Sequence, residues 1–342
     1  MHFYCGIDLS ARDSHLCVID DHQSILLQQK VSNELPRLLD LLTPFRPNLQ
    51  IVVESTFNWY WLVDGLTDLG FDVCLAHTLG LFMITAAKVK TDRRDAFTLA
   101  KLLRAGVIPK AYSYPAQTRP VRDLLRRRLH VVRLRAHEYG SLRQLLLREG
   151  ILSSSRNEIN QAEEEDLQEW FSHPLVVLNA SQQLERIELL TRQIADLEQT
   201  ILGLTKENGD YKRLLTIPGI GKILALTIHY EVGEISRFAN ERQFSSYCRV
   251  IPGVAQSGTV NRRGRGSKQG NHYLKNAFSQ AAVAAVRNYP KIRRCYEKQL
   301  QRHRGGARKL VAYNVIAHKL AVAVYHLLKK EGEYREELLF GK

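Results

Sequence analysis

Short apolar runs rich in β-branched and aromatic residues alternate with amphipathic stretches in the first third of the chain. The short runs predict strands, and apolar positions three and four apart predict helices. The predicted order is βββαβαβα, which gives a mixed sheet. The predicted strands are Phe3–Leu9, His15–Asp20, Ser24–Val31, Leu49–Val53 and Phe71–Ala76, and the predicted helices are Leu35–Phe45, Trp59–Leu69 and Ala86–Ala105.

Helical periodicity dominates the middle of the chain. From Arg119 to Arg148, apolar residues recur mostly three and four positions apart among arginines, which predicts one long basic helix. From Ile187 to Leu204, Ile and Leu keep the strict a/d spacing of a coiled coil. Opposite charge favours the basic helix as its partner, but the spacing equally allows a second subunit. We predict three parts: a catalytic domain at 1–110, a helical coiled-coil connector at 111–209 and a mainly helical domain at 210–342.

The net charge of +14 is distributed unevenly. It is −2 over residues 1–109, +7 over 110–155, −7 over 156–209 and +16 over 210–342. A basic excess concentrated in this way is typical of proteins that bind a polyphosphate, because neutralised phosphates release counterions. Nucleic acid is therefore the predicted partner, although charge does not distinguish DNA from RNA.

The remaining composition limits the class of protein. The five cysteines are scattered without CxxC spacing, which argues against a disulfide framework and a zinc site. No basic, apolar start resembles a signal peptide, and polar residues interrupt Val311–Leu328 before it reaches the ~20 apolar residues of a membrane helix. We expect a cytoplasmic, nucleoid-associated protein without a membrane partner.

Two segments of the last domain suggest nucleic-acid contacts. Leu215–Lys222 resembles the glycine-rich turn of helix-hairpin-helix modules, whose backbone N–H groups face a phosphate. Gly253–Asn271 is polar, basic and expected to be flexible, and it contains Ser257 and Ser267. The candidate nucleic-acid-binding residues are Arg126, Arg127, Arg128, Lys222, Arg262, Arg263, Arg265 and Lys268.

Four carboxylates mark the ends of the predicted elements in the first domain. Asp8 lies in the first strand, Glu54 ends the fourth, and Asp92 and Asp95 share one face of the last helix. In a ribonuclease H-like sheet the first and fourth strands are neighbours and the final helix packs across their ends, so the four acids converge. Such a cluster normally holds Mg²⁺ or Mn²⁺, since clustered carboxylates repel one another and hard oxygen ligands suit these ions. Each acid taken alone is better explained as a turn or helix-cap residue, whereas all four in the expected elements favour a functional site.

The ordered motifs GID, VVEST, KTDRRDA, LLTIPGIGK, RFAN and YCRVIPGVAQSG span nearly the whole chain. This set resembles the DEDD-type insertion-sequence transposases of the IS-one-ten family, which are bridge RNA-guided serine recombinases. The resemblance implies a RuvC-like domain, a coiled-coil connector and a C-terminal transposase domain that bears a serine.

The resemblance also implies roles for individual residues. Asp8, Glu54, Asp92 and Asp95 would bind Mg²⁺ or Mn²⁺, and Ser257 would be the nucleophile that forms a phosphoserine link to DNA. Ser267 is the fallback nucleophile. The implied partners are the DNA of the element ends and target, a non-coding guide RNA, and further copies of the chain in a dimer or tetramer.

Three other functions remain open at this point. A metal-dependent Holliday-junction-type resolvase or nuclease would use water as its nucleophile. A sugar-kinase or actin-like fold also opens a strand with Gly-Ile-Asp, but its second phosphate-binding glycine loop is not evident. A nucleic-acid-binding protein with a degenerate site would bind without cleaving.

Overall fold

The computed structural model describes residues 1–84, 92–151, 156–204, 209–251, 253–257, 260–264, 269–302, 306–330 and 334–340. The chain divides into two compact units, residues 1–117 and 118–342. Each unit has its own apolar core. The three-part division of the chain predicted above stays a prediction.

The first unit is built around a five-stranded mixed sheet in the order β3-β2-β1-β4-β5. The central strand β1 is antiparallel to β2 and parallel to β4, and β4 is parallel to β5. The predicted mixed sheet and the adjacency of the first and fourth strands are confirmed. The strands are β1 (Phe3–Leu9), β2 (Asp13–Ile19), β3 (Ile25–Ser32), β4 (Leu49–Glu54) and β5 (Asp72–Ala76), and the helices are α1 (Leu35–Leu42), α2 (Tyr60–Asp68), α3 (Thr78–Ile84) and α4 (Asp92–Arg104).

Two differences from the predicted elements concern the end of this unit. The pattern did not predict α3, which follows β5 directly and precedes α4. The last predicted helix was Ala86–Ala105, and in the described part of the chain it begins at Asp92, with residues 85–91 outside that part. The short apolar run at 78–84 lacks the length that helical periodicity needs to be recognised.

Alternate residues of β1 face two different layers, since side chains in a strand alternate. Cys5, Ile7 and Leu9 are buried in the larger core of this unit. Gly6 lies on the opposite face, which α4 covers with Ala96 and Ala100. The helix that bears two of the candidate carboxylates is thus packed directly on the central strand.

The second unit begins with two long antiparallel helices, α5 (Arg119–Arg148) and α8 (Pro174–Gly203). The bounds of α5 are those predicted. Val131 packs against Leu190 and Ile194 of the predicted coiled-coil seam. The structure therefore gives the seam a partner within the same chain. Two shorter helices lie between them, α6 (Arg156–Gln161) and α7 (Glu164–Trp170).

The rest of the second unit is mainly helical and contains one hairpin. Its elements are α9 (Gly209–Leu214), α10 (Lys222–Val232), α11 (Glu241–Tyr247), β6 (Gly253–Ser257), β7 (Val260–Gly264), α12 (His272–Asn288), α13 (Pro290–Arg302), α14 (Arg308–Lys330) and α15 (Glu337–Phe340).

The helix α14 is long and apolar enough to cross a membrane by length and composition alone. The sequence pattern had excluded such a span because polar residues interrupt it. Half of the helix's most apolar window is buried, and Ile316, Leu320 and Val324 belong to the core of the second unit. This burial is what the core helix of a globular unit requires.

Candidate active site

Asp8 and Glu54 lie side by side at the ends of neighbouring parallel strands. The register pairs Gly6 with Val52 and Ile7 with Val53, so the next two positions are Asp8 and Glu54. Both residues are half-buried. Because side chains repeat their direction every two residues, Asp8 lies on the same face of the sheet as Gly6, which α4 covers.

The close packing of α4 on β1 depends on the absence of a side chain at Gly6. A Cβ atom there would lie 2.1 Å from the Ala96 carbonyl oxygen and 2.6 Å from the Ala100 nitrogen. Arg93 and Gln28 exchange two hydrogen bonds at the start of α4, Nε to Oε1 at 2.8 Å and Nε2 to the Arg93 carbonyl at 3.1 Å. These contacts fix the first turn of α4 over the sheet.

Asp92 and Asp95 both lie in that first turn. Asp92 is exposed and Asp95 half-buried. The Oδ2 atom of Asp92 lies 3.8 Å from Nε2 of His15, which is opposite Asp8 in the β1–β2 register. The imidazole of His15 is therefore close to the helix carboxylate of Asp92, while the backbone of His15 is paired with that of Asp8.

His15 was not among the residues that the sequence pattern predicts for the site. It appeared only as the first residue of a predicted strand, and nothing in its spacing links it to the acids. The antiparallel register places it beside Asp8, and the packing of α4 brings Asp92 to it. Pairing of strands, rather than a motif, carries this information.

The donor set at this edge of the sheet is suitable for a hard divalent ion, because it consists of carboxylate oxygens from two strands and one helix. The described residues nevertheless contain no group of three or more His, Cys, Asp or Glu side chains close enough to hold a metal. The structure brings Asp8 next to Glu54 and His15 next to Asp92. It does not gather all four acids around one point.

Ser257 is the last residue of β6 in a two-stranded antiparallel hairpin. Its register partner is Val260, the first residue of β7, and Gly258 and Thr259 between them lie outside the described residues. We had expected a flexible loop over this segment, and for residues 253–257 and 260–264 that expectation was wrong. A small, polar Ser-Gly-Thr stretch between two extended runs is a hairpin signal that could have been recognised.

Asn271, the residue before α12, makes several hydrogen bonds. Its backbone N–H donates to the Tyr247 carbonyl at the end of α11, at 2.6 Å. The Asn271 side chain accepts from the N–H groups of Tyr273 and Leu274 and so caps α12. Its Nδ2 also donates to Glu231 at 2.7 Å.

The candidate basic residues differ in their surroundings. Arg126 donates to the buried carboxylate of Glu231 and stacks on Tyr273, and Arg128 pairs with Glu198. Arg127 and Lys222 are exposed. In the hairpin register Arg262 is paired with Ala255 and Arg263 with Val254. Arg265, Lys268 and Ser267 lie outside the described residues.

A buried charge network surrounds Glu231, whose side chain is only 1% exposed. Its Oε2 lies 3.1 Å from the guanidinium of Arg122, while Arg126 and Asn271 also donate to it. Burial alone would raise the pKa of Glu231, but the hydrogen bond from Arg126 and the charges of Arg122 and Arg126 outweigh burial and lower the pKa. Glu231 thus joins α5, α10 and the start of α12 as an ionised group.

His272, at the start of α12, lies in a positive environment. Burial lowers its pKa, and the charges of Arg133 and Arg126 lower it further. The buried carboxylate of Glu231 acts in the opposite direction and raises the pKa. Burial and the guanidinium groups at the start of α12 outweigh it, so the net shift is downward.

Comparison with known proteins gives consistent matches. The DEDD transposase model of the IS110 type matches residues 5–150, and the model of the transposase IS116/IS110/IS902 family matches residues 211–297. A probable family 20 transposase of Pseudomonas aeruginosa is 26% identical over 96% of this chain and 98% of its own. The transposase for insertion sequence element IS1111A of Coxiella burnetii is 28% identical over 96% of this chain and 90% of its own. The transposase for insertion sequence element IS1328 of Yersinia enterocolitica is 23% identical over 81% of this chain and 82% of its own.

Proposed function

The chain belongs to the IS116/IS110/IS902 family of transposases, and from this we propose that it cleaves and rejoins DNA at the ends of a mobile insertion sequence and at a target. The first matched range contains Asp8, Glu54, Asp92 and Asp95, and the second contains Ser257. Both halves of the proposed chemistry therefore fall in the parts of the chain that define the family.

The observation that carries this proposal is the adjacency of Asp8 and Glu54 on the face of the sheet that α4 covers. We propose that these two residues, with Asp92 and Asp95, hold Mg²⁺ or Mn²⁺, in keeping with the general dependence of DEDD transposases on divalent metals. A bound ion would supply Lewis acidity and charge neutralisation at the phosphodiester. The protein's contribution is to hold the oxygen ligands on two paired strands and one packed helix, which resist movement when the DNA arrives.

Ser257 is the proposed nucleophile. Its Oγ would form a bond to phosphorus while the bond from phosphorus to the 3′ oxygen breaks, and the hydroxyl proton would pass to water as the 3′ oxygen takes up a proton. The phosphoserine diester keeps the energy of the broken linkage, so rejoining needs no ATP. The position of Ser257 supports the proposal, because it lies within the second range matched by the family and at the end of a strand in a two-stranded hairpin.

DNA is the proposed substrate, and we propose a guide RNA and further copies of the chain as partners. The net charge of +14 and the exposed Arg127 and Lys222 support binding to nucleic acid. Arg262 and Arg263 would position phosphates along β7, as would Arg265 and Lys268 next to it. A cytoplasmic location follows from DNA as the substrate.

The test uses the full chain with Mg²⁺, candidate RNA and labelled DNA carrying the element ends. A protein–DNA adduct that survives denaturation is expected in the wild type and absent in Ser257→Ala. Asp8→Asn should lose both cleavage and adduct while its fold, measured by circular dichroism, is unchanged. Ser246→Ala, an exposed serine on α11, is the matched control and should behave as wild type.

Two results would contradict the proposal. Normal cleavage by Ser257→Ala without any adduct would favour a resolvase or nuclease that uses water. Normal strand exchange by Asp8→Asn would show that the carboxylates at the end of β1 and β4 do not act in the reaction.

A further inference from the structure

An exposed aromatic ring lies three residues beyond Glu54. Phe57 is 82% exposed, the largest value among the big hydrophobic side chains in the described part of the chain. Its neighbour Trp59 is 8% exposed and packed in the core of the first unit. A single exposed apolar residue is common on protein surfaces, so exposure alone assigns nothing to Phe57.

The loop that carries Phe57 is held on both sides of the ring. Before it, the N–H of Ser55 donates to the Ala76 carbonyl at 3.0 Å, and the N–H of Thr56 donates to the Glu54 carbonyl at 2.8 Å. After it, Nδ2 of Asn58 donates to the Ser10 carbonyl at 2.9 Å, and Oδ1 of Asn58 accepts from Thr56 at 3.0 Å. The backbone at Phe57 is therefore fixed relative to the ends of β4, β5 and β1.

This position lies at the edge of the sheet where the proposed active-site carboxylates lie. β1 and β4 are parallel, so the chain leaves both strands at the same edge, and Ser10 is two residues beyond Asp8. The turn between β1 and β2 at this edge also exposes Arg12. An exposed ring, a guanidinium and two carboxylates thus lie at one edge, although no motif in the sequence joins them.

We propose that the Phe57 ring stacks on an unpaired nucleobase of the DNA strand whose phosphate meets the carboxylates. This inference rests on the proposed function and adds a positioning residue to it. Aromatic rings stack on any base because every base has a π-face, and apolar side chains inserted at base steps unstack DNA. A base held in this way would fix the adjoining phosphate next to Asp8 and Glu54, with Arg12 contacting the backbone.

The experiment compares two DNA probes of equal length with the full chain, one fully paired and one carrying unpaired bases at the cleavage position. Phe57→Ala should weaken binding to the unpaired probe by roughly 5- to 150-fold, the range that loss of one stacked base corresponds to. Binding to the paired probe should stay within about twofold, because it depends on phosphate contacts.

Two further variants separate stacking from apolar packing. Phe57→Trp should retain binding to the unpaired probe, whereas Phe57→Leu should bind as weakly as Phe57→Ala. Leu69→Ala is the matched control, since Leu69 is 45% exposed and follows α2 at the opposite edge of the sheet. It should leave both affinities unchanged.

Three outcomes would overturn the inference. The first is that Phe57→Ala binds the unpaired DNA probe as tightly as the wild type. The second is that Phe57→Leu and Phe57→Trp retain the same affinity for this probe. The third is that Phe57→Ala loses affinity only for an unpaired RNA probe. If Asp8→Asn still abolished the reaction in those cases, the inference would fail and the proposed function would stand. If instead Ser257 proved not to form the adduct, the proposed function would fail, but the comparison of Phe57 variants on paired and unpaired probes would still be valid.

Discussion

Replacing Gly6 by alanine tests the packing that holds α4 over the central strand. The new Cβ would lie 2.1 Å from the Ala96 carbonyl oxygen, about 1.3 Å closer than an ordinary contact of 3.4 Å. Three atoms of α4 lie within 3.0 Å, namely this oxygen, the Ala100 nitrogen and the Leu99 Cβ, and rotation of a side chain moves none of them away. The helix must therefore move off the sheet by roughly 1 Å.

The expected cost follows from that displacement. Overpacking of this kind lowers the free energy of unfolding by about 1–3 kcal/mol. Replacing a glycine in a strand by alanine raises it by about 0.5–1 kcal/mol, because the unfolded chain is less flexible. We expect a net loss of about 1–2 kcal/mol in the free energy of unfolding, which leaves the protein folded. Because the first turn of α4 bears Asp92 and Asp95, a shift of about 1 Å should also slow DNA cleavage by about 10²-fold.

The assay combines urea unfolding, followed by circular dichroism, with the rate of DNA cleavage at saturating Mg²⁺. Gly140→Ala is the matched control, since Gly140 lies in α5 with nothing within 4 Å of its added Cβ. It should stabilise the protein by about 0.5–1 kcal/mol and leave cleavage unchanged. A Gly6→Ala protein with wild-type stability and wild-type cleavage would refute the argument.

Three further predictions concern the second unit. Since the folded pKa of Glu231 is lowered, its charge stabilises the protein above the unfolded value of about 4.3, and that stability is lost as the pH falls through the folded pKa. Glu231→Gln should cost about 3–5 kcal/mol near pH 7 and make the urea midpoint depend less on pH below about pH 5. An unchanged pH dependence in that range would contradict this. Arg249 has φ +56° at the end of α11, so Arg249→Gly should raise stability by about 1 kcal/mol in thermal unfolding, whereas a lower melting temperature would show that its side chain outweighs the backbone strain. Arg127→Ala should weaken DNA binding and reduce the slope of log K against log salt concentration by about 0.9. Arg126→Met, which removes a partner of Glu231, should lower stability and leave this slope unchanged. Equal slopes in the two variants would contradict the distinction between them.

Many elements of both units could be predicted from local pattern. Strands such as Phe3–Leu9 and the helix Arg119–Arg148 were predicted with their observed bounds, because their apolar residues repeat over a length that distinguishes strand from helix. The helix α3 was missed because seven residues give too short a repeat. The hairpin around Ser257 was missed because its polar composition concealed two short strands that pair only with each other.

The candidate site was predicted in part. Alternation and turn residues placed Asp8 and Glu54 at strand ends, and the predicted adjacency of the first and fourth strands is observed as the β1–β4 pairing. The pairing of His15 with Asp8 depends on the antiparallel register, and its contact with Asp92 depends on the approach of α4, and both are long-range contacts. The predicted convergence of all four acids around one point is not observed among the described residues.

The linear order of residues determined which segments become strands and helices, which acids end them, and where positive charge accumulates, since these depend on neighbours a few positions apart. Only the tertiary structure decided which basic side chains remain exposed and can contact nucleic acid. Arg126 and Arg127 are adjacent in a run of three arginines, yet one is committed to the buried Glu231 and the other is exposed. The physical reason is that burial of a carboxylate requires a counter-charge from whichever helix packs against it, and the sequence does not state which helix that is.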